Sequence, residues 1–418
     1  MSTKCPYCGK NPVPHRIFWY NESLNILLTG LRQKVLYNSL TFYFNQKSLD
    51  ATLAKYFLKI GESLKIITRQ NNLLLCKVRR AQVLWEEAEK RGIKMSELLM
   101  FGRPFDCYVA EKTQNTNHKS QIIFSGLPRP KGYFNNYLDL MDDKGWFKKK
   151  MMESNMPVAL GGSCTSFGEA EEVYRQIQGE RFEAQGESEG QDLASNISHL
   201  VPLIVKPRSG SRGRHSITFI YTLEELKTAF KIAKKLCHWV MVEEQLFGPV
   251  YRATVINFEL VGVLRGDAPE VIGDGVHNIK QLVEIKNDLL HPGVKDIIID
   301  SLAEVFLLRQ KLSVNSVPKN GEKAYISEKI GVSYGGSSKE EFELCHPENK
   351  EIFVKAARVL GDPIVGFDFM IPDITKSYKQ QKCGFLEANT LPFINLHHDP
   401  LLGPSRNVAA KIWDMLNW

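Results

Sequence analysis

Two apolar runs near the C-terminal end place acidic and amide groups inside strand-like sequence: Gly366-Phe367-Asp368-Phe369-Met370 and Gly384-Phe385-Leu386-Glu387-Ala388-Asn389. A carboxylate set between aromatics, as Asp368 is, is costly to bury unless a cation or hydrogen-bond donors meet it. Glu387 and Asn389 are two residues apart, so on a strand they face the same side. Three oxygen donors on neighbouring strands suit Mg²⁺, which takes one or two carboxylates and completes its shell with phosphate oxygens and water. The plainer alternative is the wet edge of a half-buried sheet, and the apolar context argues against it.

Two further segments point to a phosphorylated ligand. In Val205-Lys206-Pro207-Arg208-Ser209-Gly210-Ser211-Arg212-Gly213-Arg214-His215 a lysine ends an apolar strand and a turn of small and basic residues leads into another strand. Glycines there let backbone N–H groups turn inward around an anion, and the basic side chains add charge. It is not a P-loop, because GxxxxGK[ST] is absent and a strand follows. A hairpin with solvated arginines is the competing reading. In Val242-Glu243-Glu244-Gln245-Leu246-Phe247-Gly248-Pro249 a strand enters a short loop that could offer backbone groups to a planar base, with Leu246 packing on it.

The 418 residues are 43% apolar and 24% charged, enough for a core and consistent with two to three domains. No run of about 18 uncharged apolar residues is present, and the N-terminus lacks the apolar stretch of a signal peptide. Eight cysteines, mostly scattered, make no disulfide framework, so a reducing, cytoplasmic setting is expected. Residues 1–139 hold 21 Lys/Arg against 10 Asp/Glu, and residues 140–418 hold 33 against 37, so the basic excess lies in the first third. That excess reads as a solvated face or as a surface for an acidic partner. No compact basic-aromatic motif favours nucleic acid.

Helices are expected over 82–100 (broken at Gly92), 142–155, 166–178 and 222–235, the last two with capping-box spacing at Ser166/Glu169 and Thr222/Glu225. Strands are expected at 121–125, 203–206, 216–221, 239–243, 251–257 and 259–265. Residues 179–199, poor in apolar side chains, read as an exposed insertion.

Taken in order, the strand lysine, glycine-rich turn, acidic hinge and Asp…Glu-x-Asn strands resemble the ATP-grasp superfamily. Leu386-Glu387-Ala388-Asn389-Thr390-Leu391-Pro392-Phe393 looks like the metal strand of D-alanine–D-alanine ligases. Gly262–Arg265, 271–279, 315–322 and Gly335-Gly336 look like cyanophycin synthetase and the ATP-grasp part of bifunctional glutathione synthetases. The resemblance covers roughly 140–418 and implies an α/β (α+β) ATP-grasp fold. In it the nucleotide would lie between two α+β subdomains, and residues 1–139 would form an additional N-terminal domain.

The implied activity is an ATP-dependent carboxylate–amine ligase that forms a peptide or amide bond through an acyl-phosphate and releases ADP and phosphate. The implied substrates are a small carboxylate and an amine, either amino acid or peptide. The resemblance implies Lys144, Lys206, Gly210, Ser211, Gly213, Glu243 and Leu246 at ATP, and Asp368, Glu387 and Asn389 at Mg²⁺. It also implies catalytic roles for Arg265 and Lys206. No nucleophilic cysteine is expected, and Cys164, Cys237, Cys345 and Cys383 read as core residues.

The chain departs from the family pattern at Val250, Ser327 and Gly331, and at Arg214-His215 where relatives have a basic residue followed by glycine. Because it stops at Trp418, a Mur-ligase-like second activity is not expected. The departures motivate an alternative, an ATP-binding module without ligase turnover. Separately, Cys5 and Cys8 form half of a zinc knuckle; a structural zinc needs four ligands, and His15, Cys76, Cys107 and His118 are the possible partners. A reduced, metal-free pair is the competing reading. His397-His398-Asp399 reads equally as part of an acceptor site or as a surface loop.

Overall fold

The computed structural model describes residues 5–8, 12–36, 40–113, 119–132, 138–179, 200–210 and 213–418. The chain opens with two long helices, His15–Leu36 and Leu40–Ser63. Strands β1 (Ile67–Gln70), β2 (Lys94–Met100), β3 (Arg103–Thr113) and β4 (Lys119–Ser125) then form an antiparallel sheet in sequence order. The 82–100 segment is not one helix. Helix Arg79–Lys90 stops at a turn where Gly92 takes φ +69°, and the following residues become β2. Pairing on both sides, to β1 and β3, overrides the helical propensity of this Glu- and Leu-containing run.

A second sheet is built from β5 (Gly161–Cys164), β6 (Leu203–Pro207), β7 (Ile217–Ile220) and β8 (Val240–Glu244), in the order β5-β8-β6-β7. Helices Phe167–Gln178 and Leu223–Lys234 cover it. Both are capped as expected: Ser166 accepts from the Glu169 amide, and Thr222 with Glu225 forms a full capping box. The 179–199 insertion lies outside the described residues, apart from Gly179.

The third sheet starts with β9 (Val250–Ile256) and β10 (Glu259–Gly266). A two-stranded ribbon, β11 (Glu270–Ile272) with β12 (Lys323–Tyr325), interrupts it. Strands β13 (Ser338–Glu340), β14 (Ile364–Met370) and β15 (Gly384–Asn389) complete it in the order β13-β10-β9-β14-β15. Helices Lys144–Glu153 and Pro347–Leu360 contribute Phe147, Met151, Phe353 and Ala357 to one core with Phe367, Phe369 and Phe385 of this sheet.

The N-terminal sheet shares its core with the last helix, Val408–Met415: Trp85, Tyr108 and Phe124 pack with Ile412 and Trp413. Arg129, just after β4, strengthens this junction. It is 4% exposed, and its Nη2 lies 2.9 Å from both oxygens of the fully buried Asp362 and 3.0 Å from the Thr390 carbonyl. Among the described residues no helix is long and apolar enough to cross a membrane.

Breaking a buried ion pair by removing one partner strands the other charge in a poorly solvated place, at a cost of about 3–5 kcal/mol. Asp362→Ala should therefore lower the urea unfolding free energy by about that amount. An unchanged midpoint would show that the junction does not depend on this pair.

Candidate functional site: an acidic strand pair and a lysine cluster in one cleft

Register brings the acids together. In the β14–β15 ladder Asp368 lies directly opposite Glu387 and Gly366 opposite Asn389, with an irregularity just after Asp368. On the other side of β14, Arg252 of β9 is the cross-strand partner of Asp368. Its guanidinium grips Asp368 bidentately at 2.8 and 2.8 Å. Lys144, at the start of its helix, reaches Glu387 at 3.2 Å.

The two carboxylates face each other across the strand pair, and each shifts the other's protonation. Burial, only partly offset by Arg252, raises Asp368 above the ordinary carboxylate range. For Glu387 burial works in the same direction, but Lys144 and the hydrogen bond from Asp368 outweigh it and hold the group below its usual value. Two like charges this close need a proton or a cation between them. The donor set of two carboxylates and an amide oxygen is all hard oxygen, which fits Mg²⁺. Asn389 is half-buried and its Nδ2 lies 3.5 Å from the Gly366 carbonyl, on the same strand pair.

A second charged cluster lies on the facing sheet. Glu243 of β8 is buried and takes Lys206 of β6 at 2.7 Å and Lys148 at 2.7 Å. Burial opposes its charge, but Lys206 and Lys148 together hold the carboxyl down to about 2. Lys148 was not singled out from the sequence. Its signal was there, because four residues after Lys144 a helix returns to the same face.

Arg208 of the glycine-rich hairpin is committed elsewhere: it pairs bidentately with Asp143, the N-cap of the Lys144–Glu153 helix, at 2.6 and 2.7 Å. Arg265, on β10, holds Asp267 at 2.7 Å, and Ser337 donates to the other Asp267 oxygen at 2.9 Å. The Gly335-Gly336 pair closes this corner: a Cβ on Gly336 would stand 2.0 Å from the Asp267 carbonyl oxygen.

One cleft of about 2140 Å³ joins these groups. Lys144, Lys206, Gly213, Glu243, Leu246, Arg265, Asp368 and Glu387 all line it. Gly210 and Asn389 stand off its wall, and Ser211 lies outside the described residues. Val250 and Ser327, two of the departures, also line the cleft.

His397 does not face the cleft. It is fully buried, bonded to Glu340 at 2.6 Å and Thr254 at 2.7 Å. His398 accepts from the Ala409 amide, and Asp399 pairs with Arg79. All three are therefore structural. Cys164, Cys237, Cys345 and Cys383 are free and buried, as expected of core residues. Burial pushes Cys164 and Cys345 up to about 12 and Cys383 to about 11, so none is a ready nucleophile.

At the N-terminus, Cys5, Cys8, His15 and His215 place one ligand atom each within 4.8 Å of one another. Of the partners considered from sequence, only His15 belongs. Cys76 lies in the N-terminal core, Cys107 packs beside a second cluster of that sheet, and His118 is outside the described residues.

Two α+β halves closing on a cleft with facing lysine and acid clusters define an ATP-grasp fold. A bifunctional glutathione synthetase from Pasteurella multocida shares it with a TM-score of 0.54 at 23% identity, over 81% of this chain and 43% of that one. In sequence the chain is 31% identical over 285 residues to the glutathione biosynthesis bifunctional protein of Clostridium perfringens, covering 66% of this chain and 34% of that protein. It is 29% identical over 287 residues to a cyanophycin synthetase of Crocosphaera subtropica, covering 67% and 30%. The chain thus spans about a third of the length of these curated relatives. No family model matches it.

The lysine cluster carries a pH signature. Because the folded value of Glu243 is about 2, below the ordinary 4.5, its contribution to stability is complete above about 4.5 and is lost as pH falls toward 2. Glu243→Gln should be clearly less stable than the native chain at pH 6, and the gap should narrow between pH 4.5 and 2. A gap independent of pH, measured by urea unfolding, would contradict the assignment.

Proposed function

We propose that the chain is an ATP-dependent carboxylate–amine ligase. The observation that carries this reading is the joining, in one cleft, of the Lys206–Glu243 cluster and the Asp368–Glu387 pair. The relatives, named for glutathione biosynthesis and cyanophycin synthesis, support a peptide or amino-acid conjugate as product. They favour it over a binding module without turnover. We read residues 140–418 as the ATP-grasp domain and 1–139 as a separate domain resting on it. Buried, unpaired cysteines suit a reducing, cytoplasmic setting.

In this reading Leu246 packs on the base, and Lys206, positioned by Glu243, faces the phosphates. The glycine-rich turn that holds Gly210 and Gly213 would offer its backbone amides to them. Bound at Asp368, Glu387 and Asn389, Mg²⁺ would neutralise phosphate charge. A substrate carboxylate attacks the terminal phosphorus, ADP leaves, and the amine then displaces phosphate from the acyl carbon. Arg265 offsets the repulsion between the carboxylate and the phosphoryl group as they approach. The work is positioning and charge compensation rather than covalent catalysis by the protein.

A screen for phosphate release across amino-acid and peptide pairs identifies the substrates. With a productive pair, Glu387→Gln should abolish release without unfolding the chain. Arg265→Ala should lower kcat by about 100-fold while changing the affinity for an ATP analogue far less. Undiminished turnover in Glu387→Gln would sink the metal assignment.

A further inference from the structure

The Cys5–Cys8–His15–His215 cluster has no part in the ligase reading. Cys8 Sγ lies 3.1 Å from His15 Nε2 and 3.5 Å from His215 Nε2, and Cys5 Sγ lies 3.4 Å from the same His215 nitrogen. A tetrahedral zinc with Zn–S of ~2.3 Å and Zn–N of ~2.0 Å has donor–donor edges of roughly 3.3–3.8 Å. The three sulfur–nitrogen contacts fall within or just below that range, and all four donor atoms lie within 4.8 Å of one another.

Hydrogen bonding can pair each thiol with one imidazole, Cys8 with His15 and Cys5 with His215, but leaves the Cys8–His215 contact without a proton. His215 Nδ1 is 2.7 Å from the Ile232 carbonyl, which can only accept, so Nδ1 carries the proton and Nε2 presents a bare lone pair. That one lone pair faces two thiols. A carbonyl bonded to the far nitrogen is also the usual way a metal-binding imidazole is oriented. Cys8 is 2% and His215 1% exposed, and the Cys5–Cys8 turn is closed by the Cys8 amide bonding to the Cys5 carbonyl. His215 also holds φ +51°, a left-handed conformation uncommon outside glycine, and its amide bonds to the Tyr7 carbonyl.

We infer that Cys5, Cys8, His15 and His215 bind one zinc ion, and that this ion fixes the glycine-rich hairpin over the nucleotide cleft. His215 follows Gly213 by two residues, and Gly213 lines the cleft. The other ligands belong to the N-terminal segment and the first turn of the His15–Leu36 helix. That helix braces the same hairpin. Glu22 accepts from Ser209 at 2.5 Å and Arg214 stands over the Phe18 ring at 5.7 Å, while Ser23 ties the helix to the bend before β8 by accepting from the His238 amide at 3.0 Å. Gly210, at φ +68°, comes so close that a Cβ there would meet Glu22 and Phe18 at 2.5 and 2.7 Å. Binding displaces one proton from each thiol and joins segments some two hundred residues apart. Losing the ion would release the hairpin at its C-terminal end and the helix that supports it.

The test uses the full chain purified without chelator under reducing conditions. Metal analysis should find about one zinc per chain. Cys5→Ser combined with His215→Ala should remove it, whereas Cys76→Ser should retain it. Cobalt exchanged into the site should give thiolate-to-metal charge-transfer absorption that is lost in Cys5→Ser. For the role, calorimetry with a non-hydrolysable ATP analogue should show Kd rising at least about fivefold in chelator-treated protein and recovering when zinc is restored. Circular dichroism confirms that each variant is folded; if the double variant is not, the cobalt spectrum of the native chain decides the site. Absence of zinc after incubation with the metal, or full zinc in the folded double variant, overturns the site. Zinc present with an unchanged Kd overturns its action on the hairpin. Metal content is read without turnover, so it stands or falls separately from the ligase reading, on which only the nucleotide arm rests.

Discussion

Two carboxylates on adjacent strands cannot both be charged and close unless positive charge surrounds them. That constraint organises the third sheet. Arg252 on β9 and Lys144 on the helix packed over β15 approach the Asp368–Glu387 pair from two sides. The aromatic core of Phe367, Phe369 and Phe385 fills the other face of the same strands. An acid pair held between two fixed cations suits a metal ion, whose charge would offset the repulsion between the carboxylates. The facing sheet inverts the pattern, with one buried acid between two lysines, Glu243 between Lys148 and Lys206. The cleft therefore presents positive charge from one wall and oxygen ligands from the other, the arrangement a nucleotide polyphosphate with its metal would need.

The N-terminal third is bound into this scheme at two points. Its sheet shares a core with the C-terminal helix, and Arg129 reaches across to Asp362 and Thr390, next to the acidic strand. Its first helix lies instead against the hairpin of the opposite sheet. The basic excess of residues 1–139 is thus partly structural: Arg79, Arg91 and Arg129 are paired with Asp399, Asp414 and Asp362 of the C-terminal half. The N-terminal third thus touches both walls of the cleft.

Much of the cleft was legible in the sequence because its parts are local. The Glu387/Asn389 spacing implies a shared strand face, and the strands at 203–206, 239–243, 251–257 and 259–265 were placed to within two residues. Capping signals at Ser166 and Thr222 were as readable. What was not legible depends on tertiary contact. The 94–100 run is a strand because two neighbours pair with it. Arg208 looks like a phosphate ligand in sequence but is taken by Asp143. His215, 207 residues from Cys8, appeared only as an irregularity in the glycine-rich turn, and nothing local joins it to the cysteines.

The central claim is that the substrate carboxylate attacks the terminal phosphate of ATP. It is tested most directly by labelling that carboxylate with ¹⁸O, using the pair that gives the fastest phosphate release, and following the isotope by mass spectrometry. If an acyl-phosphate forms, one ¹⁸O leaves with each inorganic phosphate when the amine attacks the acyl carbon. Label found in AMP, with unlabelled pyrophosphate released, would mean an adenylate intermediate and would contradict this account of the cleft.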